Sequence, residues 1–75
     1  MEDYKKRMVE EYQELVPRVA KLENILSKYG NGTLDFEPDC PIDLLRAQLN
    51  AMRAYMFILQ MRSEIEDVDL WNKNA

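Results

Sequence analysis

Polar side chains recur every seven residues along an otherwise apolar ridge in the second half of the chain. Gln48, Tyr55 and Arg62 have this spacing, and Met52 and Leu59 lie between them. An amide can bind the edge of a nucleobase, a tyrosine ring can stack on a base, and a guanidinium can bind a phosphate through two hydrogen bonds. The pattern therefore indicates one wall of a nucleotide-binding site. Alternatively, these residues line the edge of a helical pair with buried stems and solvated tips.

A second set of candidate ligand-binding residues lies on a neighbouring face of the same segment. Arg46, Asn50 and Arg53 are about one helical turn apart. Paired arginines there can clamp an anion, or they can simply keep the outer face of a helix solvated. In the first half of the chain, Arg18 is a further candidate for anion binding and Tyr12 for base stacking.

Charge is distributed unevenly along this chain of 75 residues, whose formal net charge is −4. Residues 41–62 carry +2 because three arginines outnumber one aspartate, whereas residues 29–40 carry three acids and no base. A bound phosphate is therefore expected to meet Arg53 and Arg62 first, with Tyr55 or Tyr12 stacking on a base. The acidic balance argues against direct binding of DNA or RNA, which requires a basic surplus.

The composition argues against catalysis and against a metal site. The chain has no histidine and a single cysteine, Cys40, and it lacks a glycine-rich phosphate loop. We therefore expect no enzyme, no catalytic residue, no metal ligand and no cofactor. The longest apolar run, from Ala54 to Leu59, is far too short to cross a bilayer, and the acidic first residues do not resemble a secretory signal. These features predict a soluble intracellular protein that does not contact a membrane.

The apolar periodicity predicts an all-α fold, a two-helix antiparallel αα-hairpin that is oligomeric. One domain over residues 1–75 is expected, with helix 1 at about 2–28, a linker at 29–40, helix 2 at about 41–66 and a tail at 67–75. Glycines after residue 29 end the first helix, and Pro41 suits the first position of the second. Pro17 lies inside the first pattern and predicts a kink rather than a break. Leu34 and Phe36 are expected to close the open end of the hairpin, and Trp71 to pack back on it or on a neighbour.

The second helix carries two apolar stripes, and a single partner helix can cover only one of them. The first stripe suits contact with helix 1 and consists of Leu45, Leu49, Met52, Met56 and Leu59. Helix 1 has a matching heptad seam, with apolar residues at alternating spacings of four and three: Met8, Tyr12, Leu15, Val19, Leu22, Leu26 and Tyr29. The second stripe predicts a homo-oligomer and consists of Ala47, Ala51, Ala54, Ile58, Met61 and Ile65.

The order of these residues resembles a family of small proteins encoded by tailed bacteriophages, including crAss-like phages and phages of Gram-positive hosts. The resemblance covers residues 4 to about 70 and rests on Glu11-Tyr12-x-x-Leu15, Arg18, Lys21-Leu22, Gly32-Thr33-Leu34-Asp35-Phe36, Cys40-Pro41, Leu44-Leu45-x-x-Gln48, Met52, Tyr55, Leu59, Arg62 and Glu64. Pro17 departs from the family pattern.

In architecture and size, the predicted hairpin is similar to phage anti-CBASS and anti-Thoeris sponge proteins. Those proteins assemble as oligomers and sequester cyclic nucleotide signals without cleaving them. The resemblance implies an immune-evasion protein in the cytoplasm of the infected bacterial host, with a cyclic oligonucleotide or cyclic ADP-ribose-type signal as its ligand. Two alternatives stay open: a small acidic adaptor that binds and inhibits a host protein, and a component of the virion or of DNA packaging.

Overall fold

The computed structural model describes residues 3–71 and contains two helices and, in that range, no strand. Helix α1 spans Asp3–Asn31 and helix α2 spans Ile42–Ile65. Glu23 contacts Arg53, and further along α1 toward its N-terminus Tyr12 contacts Gln60, so the two helices run antiparallel. The predicted pair of packed helices is confirmed. Helix α1 continues three residues beyond its predicted end, and its predicted first residue lies outside the described range.

A residue with a left-handed backbone conformation follows the end of each helix. After α1, Gly32 has φ +72°, and the Thr33 N–H donates to the Lys28 carbonyl at 2.9 Å. After α2, Asp67 has φ +55°, and the Val68 N–H donates to the Ser63 carbonyl at 2.8 Å. Both are the six-to-one bond of a Schellman motif, which satisfies a carbonyl that the helix itself leaves unpaired. Glycine serves this conformation at the first site without a steric cost, as the sequence predicted.

The seam between the helices follows the predicted periodicity. The first stripe of α2 faces α1, where Leu49 and Leu59 are buried. Helix α1 continues without interruption through Pro17, which lies on its exposed side. Packing on both sides of the proline stabilises a single helix despite the missing hydrogen bond.

The main hydrophobic cluster lies at the end of the hairpin opposite the turn, and the tail completes it. Its buried members are Met8, Val9, Tyr12, Leu59, Val68 and Leu70. The Gln13 amide donates to the Leu70 carbonyl at 3.0 Å, which fixes the tail against α1. The Trp71 ring meets the Tyr12 ring edge to face, with centroids 5.4 Å apart. Trp71 therefore packs back on its own hairpin.

The opposite end, at the turn, is open. Leu34 is half-buried, but 54% of Phe36 is exposed, so the expectation that Phe36 closes the hairpin is wrong. The second stripe of α2 is exposed along its whole length, including Ile65 at 80%. Neither described helix is long and apolar enough to cross a membrane.

Candidate ligand-binding groove

The buried stripe of α2 divides its polar residues between two edges of the hairpin. Because each residue turns a helix by about 100°, positions 46, 50, 53 and 57 flank one side of that stripe and positions 48, 55 and 62 flank the other. We call these the Arg53 edge and the Arg62 edge. Arg53 and Arg62 are nine residues apart and therefore project in opposite directions. A single small ligand on one chain cannot bind both, although the sequence named both as phosphate ligands.

The Arg53 edge contains two adjoining depressions, which together we call the Arg53 groove. The first, about 370 Å³, is lined by Val16, Val19, Ala20, Glu23, Arg53, Met56, Phe57 and Gln60. The second, about 410 Å³, is lined by Glu23, Leu26, Ser27, Arg46, Leu49, Asn50 and Arg53. Glu23 and Arg53 line both depressions, so their contact lies where the two halves meet. One half of the groove is aromatic and apolar, and the other is polar with a second arginine.

An ion pair crosses the middle of this groove. An Arg53 guanidinium nitrogen donates to a Glu23 carboxylate oxygen, and both side chains are about half-exposed. Exposed pairs of this kind contribute at most about 1 kcal/mol, so an incoming anion can replace the carboxylate at low cost. Arg46 lies 3.8 Å from Asp43 in an exposed pair one turn earlier. Two arginines and the Asn50 amide are thus available to a ligand in the polar half.

The apolar half of the groove presents an aromatic ring to solvent. Phe57 is 61% exposed and lies next to Arg53 on the same side of α2. Gln60 also lines this half, and its amide is held in place because it donates to the Tyr12 hydroxyl at 2.8 Å. An exposed ring beside a guanidinium suits a flat ligand group that is joined to a phosphate.

The polar tips on the Arg62 edge are bonded to other side chains of the chain. The Tyr55 hydroxyl donates to the Glu11 carboxylate, and Arg62 Nε donates to a Glu66 oxygen at 3.0 Å. The hydrogen bond to Glu11 is the main cause that raises the pKa of Tyr55. Burial raises this pKa further, and the positive charge of Arg62 lowers it. These contacts favour the structural interpretation of the seven-residue pattern, in which stems are buried and tips are solvated.

The remaining candidates on the Arg62 edge line a separate depression. Arg18 and Gln48 border a space of about 230 Å³, together with Lys21 and four apolar residues. The Gln48 amide lies 3.9 Å from the Met52 sulfur, a weak contact within one turn of α2. The structure therefore does not bring Arg18 or Gln48 together with Arg46, Asn50 and Arg53.

Tyr12 belongs to the core. Only 5% of the residue is exposed, its hydroxyl accepts the Gln60 bond, and its ring packs against Trp71. The expectation that Tyr12 stacks on a base is therefore corrected. The position of Tyr12 in the heptad seam of α1 predicts that its side chain is buried. The tail adds to this burial because Trp71 packs on the ring.

Sequence reasoning missed Phe57 and Glu23 as groove residues. Phe57 lies inside the longest apolar run and belongs to neither stripe of α2. Its spacing from Asn50 and Arg53, seven and four residues, was the available signal, because i+4 and i+7 residues share a helix face. Nothing local marks Glu23, which joins the groove only because α1 packs against α2.

Over residues 3–71, these features define a small helical hairpin with a groove, half apolar and half polar, along one edge and an uncovered apolar face. The chain belongs to the Sequestin family, which matches residues 2–65 and so spans α1, the turn and α2. The family name indicates that its members sequester a molecule. Searches of curated proteins and of solved structures gave no match.

Proposed function

We propose that this protein is a phage immune-evasion protein that binds and sequesters a nucleotide second messenger without cleaving it. The ligand is a cyclic oligonucleotide or a cyclic ADP-ribose-type signal, taken up in the cytoplasm of the infected bacterial host. The Arg53 groove is the observation that carries the proposal, because its two adjoining depressions share the Arg53 guanidinium, and one of them holds an exposed aromatic ring and the other an amide. The indication of sequestration from the Sequestin family supports the same function.

In the proposed complex, a ligand phosphate replaces the Glu23 carboxylate on Arg53. Arg46 and Asn50 bind the same or a neighbouring phosphate in the polar half of the groove. The Phe57 ring stacks on a base in the apolar half. Arginine suits this role because its planar fork donates two parallel hydrogen bonds to phosphate oxygens.

Sequestration is more effective when the ligand is enclosed, and one hairpin leaves the groove open on one side. We propose that copies of the chain assemble through the exposed second stripe of α2. Its alanines permit close approach of backbones, while Ile58, Met61 and Ile65 supply apolar area. Phe57 lines the groove on the side nearest this stripe, so an assembled neighbour would cover the ligand from outside.

Calorimetry with cyclic di- and trinucleotides and ADP-ribose-type signals tests the proposal. We expect one class of ligand to release heat with the wild-type chain and to be recovered chemically unchanged after denaturation. Arg53→Ala should weaken binding about tenfold or more, since a charge-assisted bond contributes roughly 1.5–3 kcal/mol. Arg53→Lys should recover only part of that loss.

Arg62→Ala is the matched control, because it removes the same charge from the opposite edge and should leave affinity unchanged. No heat from any member of the panel, with the assembly intact, would overturn the sponge function. The acidic adaptor would then be the better hypothesis. Chemical change of the bound ligand would overturn sequestration without cleavage.

A further inference from the structure

The turn between the helices exposes an aromatic ring between two carboxylates. Asp35 and Glu37 flank Phe36 in sequence, and all three are exposed. Residues 29–40 carry three acids and no base. The proposed groove lies elsewhere, so nucleotide binding does not explain why this segment combines an uncovered ring with a concentrated negative charge.

The Arg62 edge carries a depression with the complementary chemistry. Arg18 and Lys21 stand one turn apart on α1, are exposed, and make no ion pair within residues 3–71. Between them and α2 lies an apolar floor, formed by Leu22, Ile25, Leu45 and Met52. The space is about 230 Å³, enough to receive one aromatic ring.

We propose that the turn of a second copy of the chain docks in this depression. The Phe36 ring packs on the apolar floor, while Asp35 and Glu37 pair with Arg18 and Lys21. Charge complementarity favours this occupant. The depression has two unpaired cations beside an apolar floor, and the turn has an aromatic residue between two acids. A contact of this kind buries the apolar ring and neutralises four charges at once.

Each copy carries both a turn and a depression, so the contact can be made twice about a twofold axis. Both features lie in the half of the hairpin that contains the turn, and the two copies would therefore overlap at that end. This surface is separate from the Arg53 groove and from the second stripe of α2. The inference thus does not depend on the proposed nucleotide binding.

Charge reversal and complementation test the contact. One variant carries Arg18→Glu with Lys21→Glu, and the other carries Asp35→Lys with Glu37→Lys. Each variant alone opposes like charges at both contacts, so we expect sedimentation to show its self-association weakened about tenfold or more. An equimolar mixture pairs opposite charges at both contacts and should restore association to within about threefold of wild type.

Two controls separate the contact from changes of charge or of apolar surface in general. Lys5→Glu with Lys6→Glu makes the same change in net charge as Arg18→Glu with Lys21→Glu. It does so at the far end of α1 and should leave association unchanged. Phe36→Ala should weaken association, whereas Leu44→Ala, which removes an exposed apolar side chain from α2, should not. Circular dichroism of each variant verifies that the helices are intact.

Zero-length carbodiimide coupling locates the contact directly. In a mixture of isotopically light and heavy chains, we expect mixed-isotope peptides that join the Lys21 amine to the Asp35 or Glu37 carboxylate. Wild-type chains that give no such peptide, reversed variants that associate like wild type, or a mixture that fails to regain association would each overturn the proposal.

Discussion

Arg53 on α2 donates a hydrogen bond to Glu23 on α1, and this contact lies where the two halves of the groove meet. The carboxylate thus pairs with the guanidinium that we propose as the phosphate ligand. Both groups are about half-exposed, so the pair contributes at most about 1 kcal/mol, whereas charge-assisted bonds to a ligand contribute roughly 1.5–3 kcal/mol each. If the groove binds a phosphate as we propose, Glu23 is an internal competitor that a tightly held phosphate would displace.

Glu23→Gln should raise the affinity for a phosphate-bearing ligand about two- to fivefold. The reason is that the amide competes for Arg53 without a negative charge, and the range corresponds to the usual strength of an exposed ion pair. Calorimetry with the ligand that binds the wild-type chain measures the change. Glu10→Gln, an exposed acid on α1 outside the groove, should have no effect. Equal affinity for wild type and Glu23→Gln would show that the ligand leaves the Arg53–Glu23 contact in place.

Phe57→Ala should weaken nucleotide binding about five- to 150-fold. Stacking of a base on an aromatic ring contributes roughly 1–3 kcal/mol, and Phe57 is the exposed ring of the groove. The measurement is the dissociation constant of the same ligand. Phe57→Tyr retains the stacking surface and should bind nearly as wild type does. If alanine is tolerated without loss, the base does not lie in the apolar half of the groove.

Leu70→Ala should lower the free energy of unfolding by about 2–5 kcal/mol, the usual cost of removing a buried leucine. Leu70 is buried in the main cluster although it lies beyond the end of α2. Chemical denaturation followed by helical circular dichroism measures the loss. Leu44→Ala removes the same side chain from an exposed position and should change stability by less than about 0.5 kcal/mol. Similar values for the two variants would mean that the tail does not support the hairpin.

Ala51→Glu should dissociate the assembly that we propose for the second stripe of α2. Glutamate at the centre of that stripe would place an unpaired charge in an apolar contact, at a cost of several kcal/mol. Light scattering at micromolar concentration measures the change in mass. Asn24→Glu adds the same charge to an exposed position of α1 and should leave the mass unaltered. An Ala51→Glu chain with the mass of the wild-type assembly would place the interface elsewhere.

The free energy of unfolding should fall at high pH because Tyr55 loses its proton. Its raised pKa means that the fold favours the protonated phenol, which donates to Glu11. This contribution is present below the ordinary tyrosine pKa of about 10 and is lost as the pH rises through the higher pKa of the folded chain. Denaturation of wild type and Tyr55→Phe at about pH 8 and about pH 11 measures the effect. The stability advantage of wild type should shrink at the higher pH, and a constant difference would contradict the Tyr55–Glu11 bond.

Local sequence determined the helices and their ends. Heptad spacing placed Met8, Val19, Leu49 and Leu59 at the buried seam, because an apolar residue every three or four positions produces one continuous helical face. The glycines at positions 30 and 32 predicted the end of the first helix to within three residues, and Gly32 adopts the positive φ that follows the helix, since glycine does so without a steric cost. The angle of 180° between Arg53 and Arg62 also follows from their nine-residue separation alone.

Only the tertiary structure decided which residues share a site and which are covered. Glu23 meets Arg53, and Tyr12 meets Trp71, across separations of 30 and 59 residues, and no local pattern encodes such pairs. The tail buries Val68 and Leu70 after α2 has ended, while Phe36, equally apolar, is left exposed at the turn. The physical reason is that helix periodicity depends on neighbours within two turns, whereas groove contacts and burial depend on how α1, α2 and the tail pack in three dimensions.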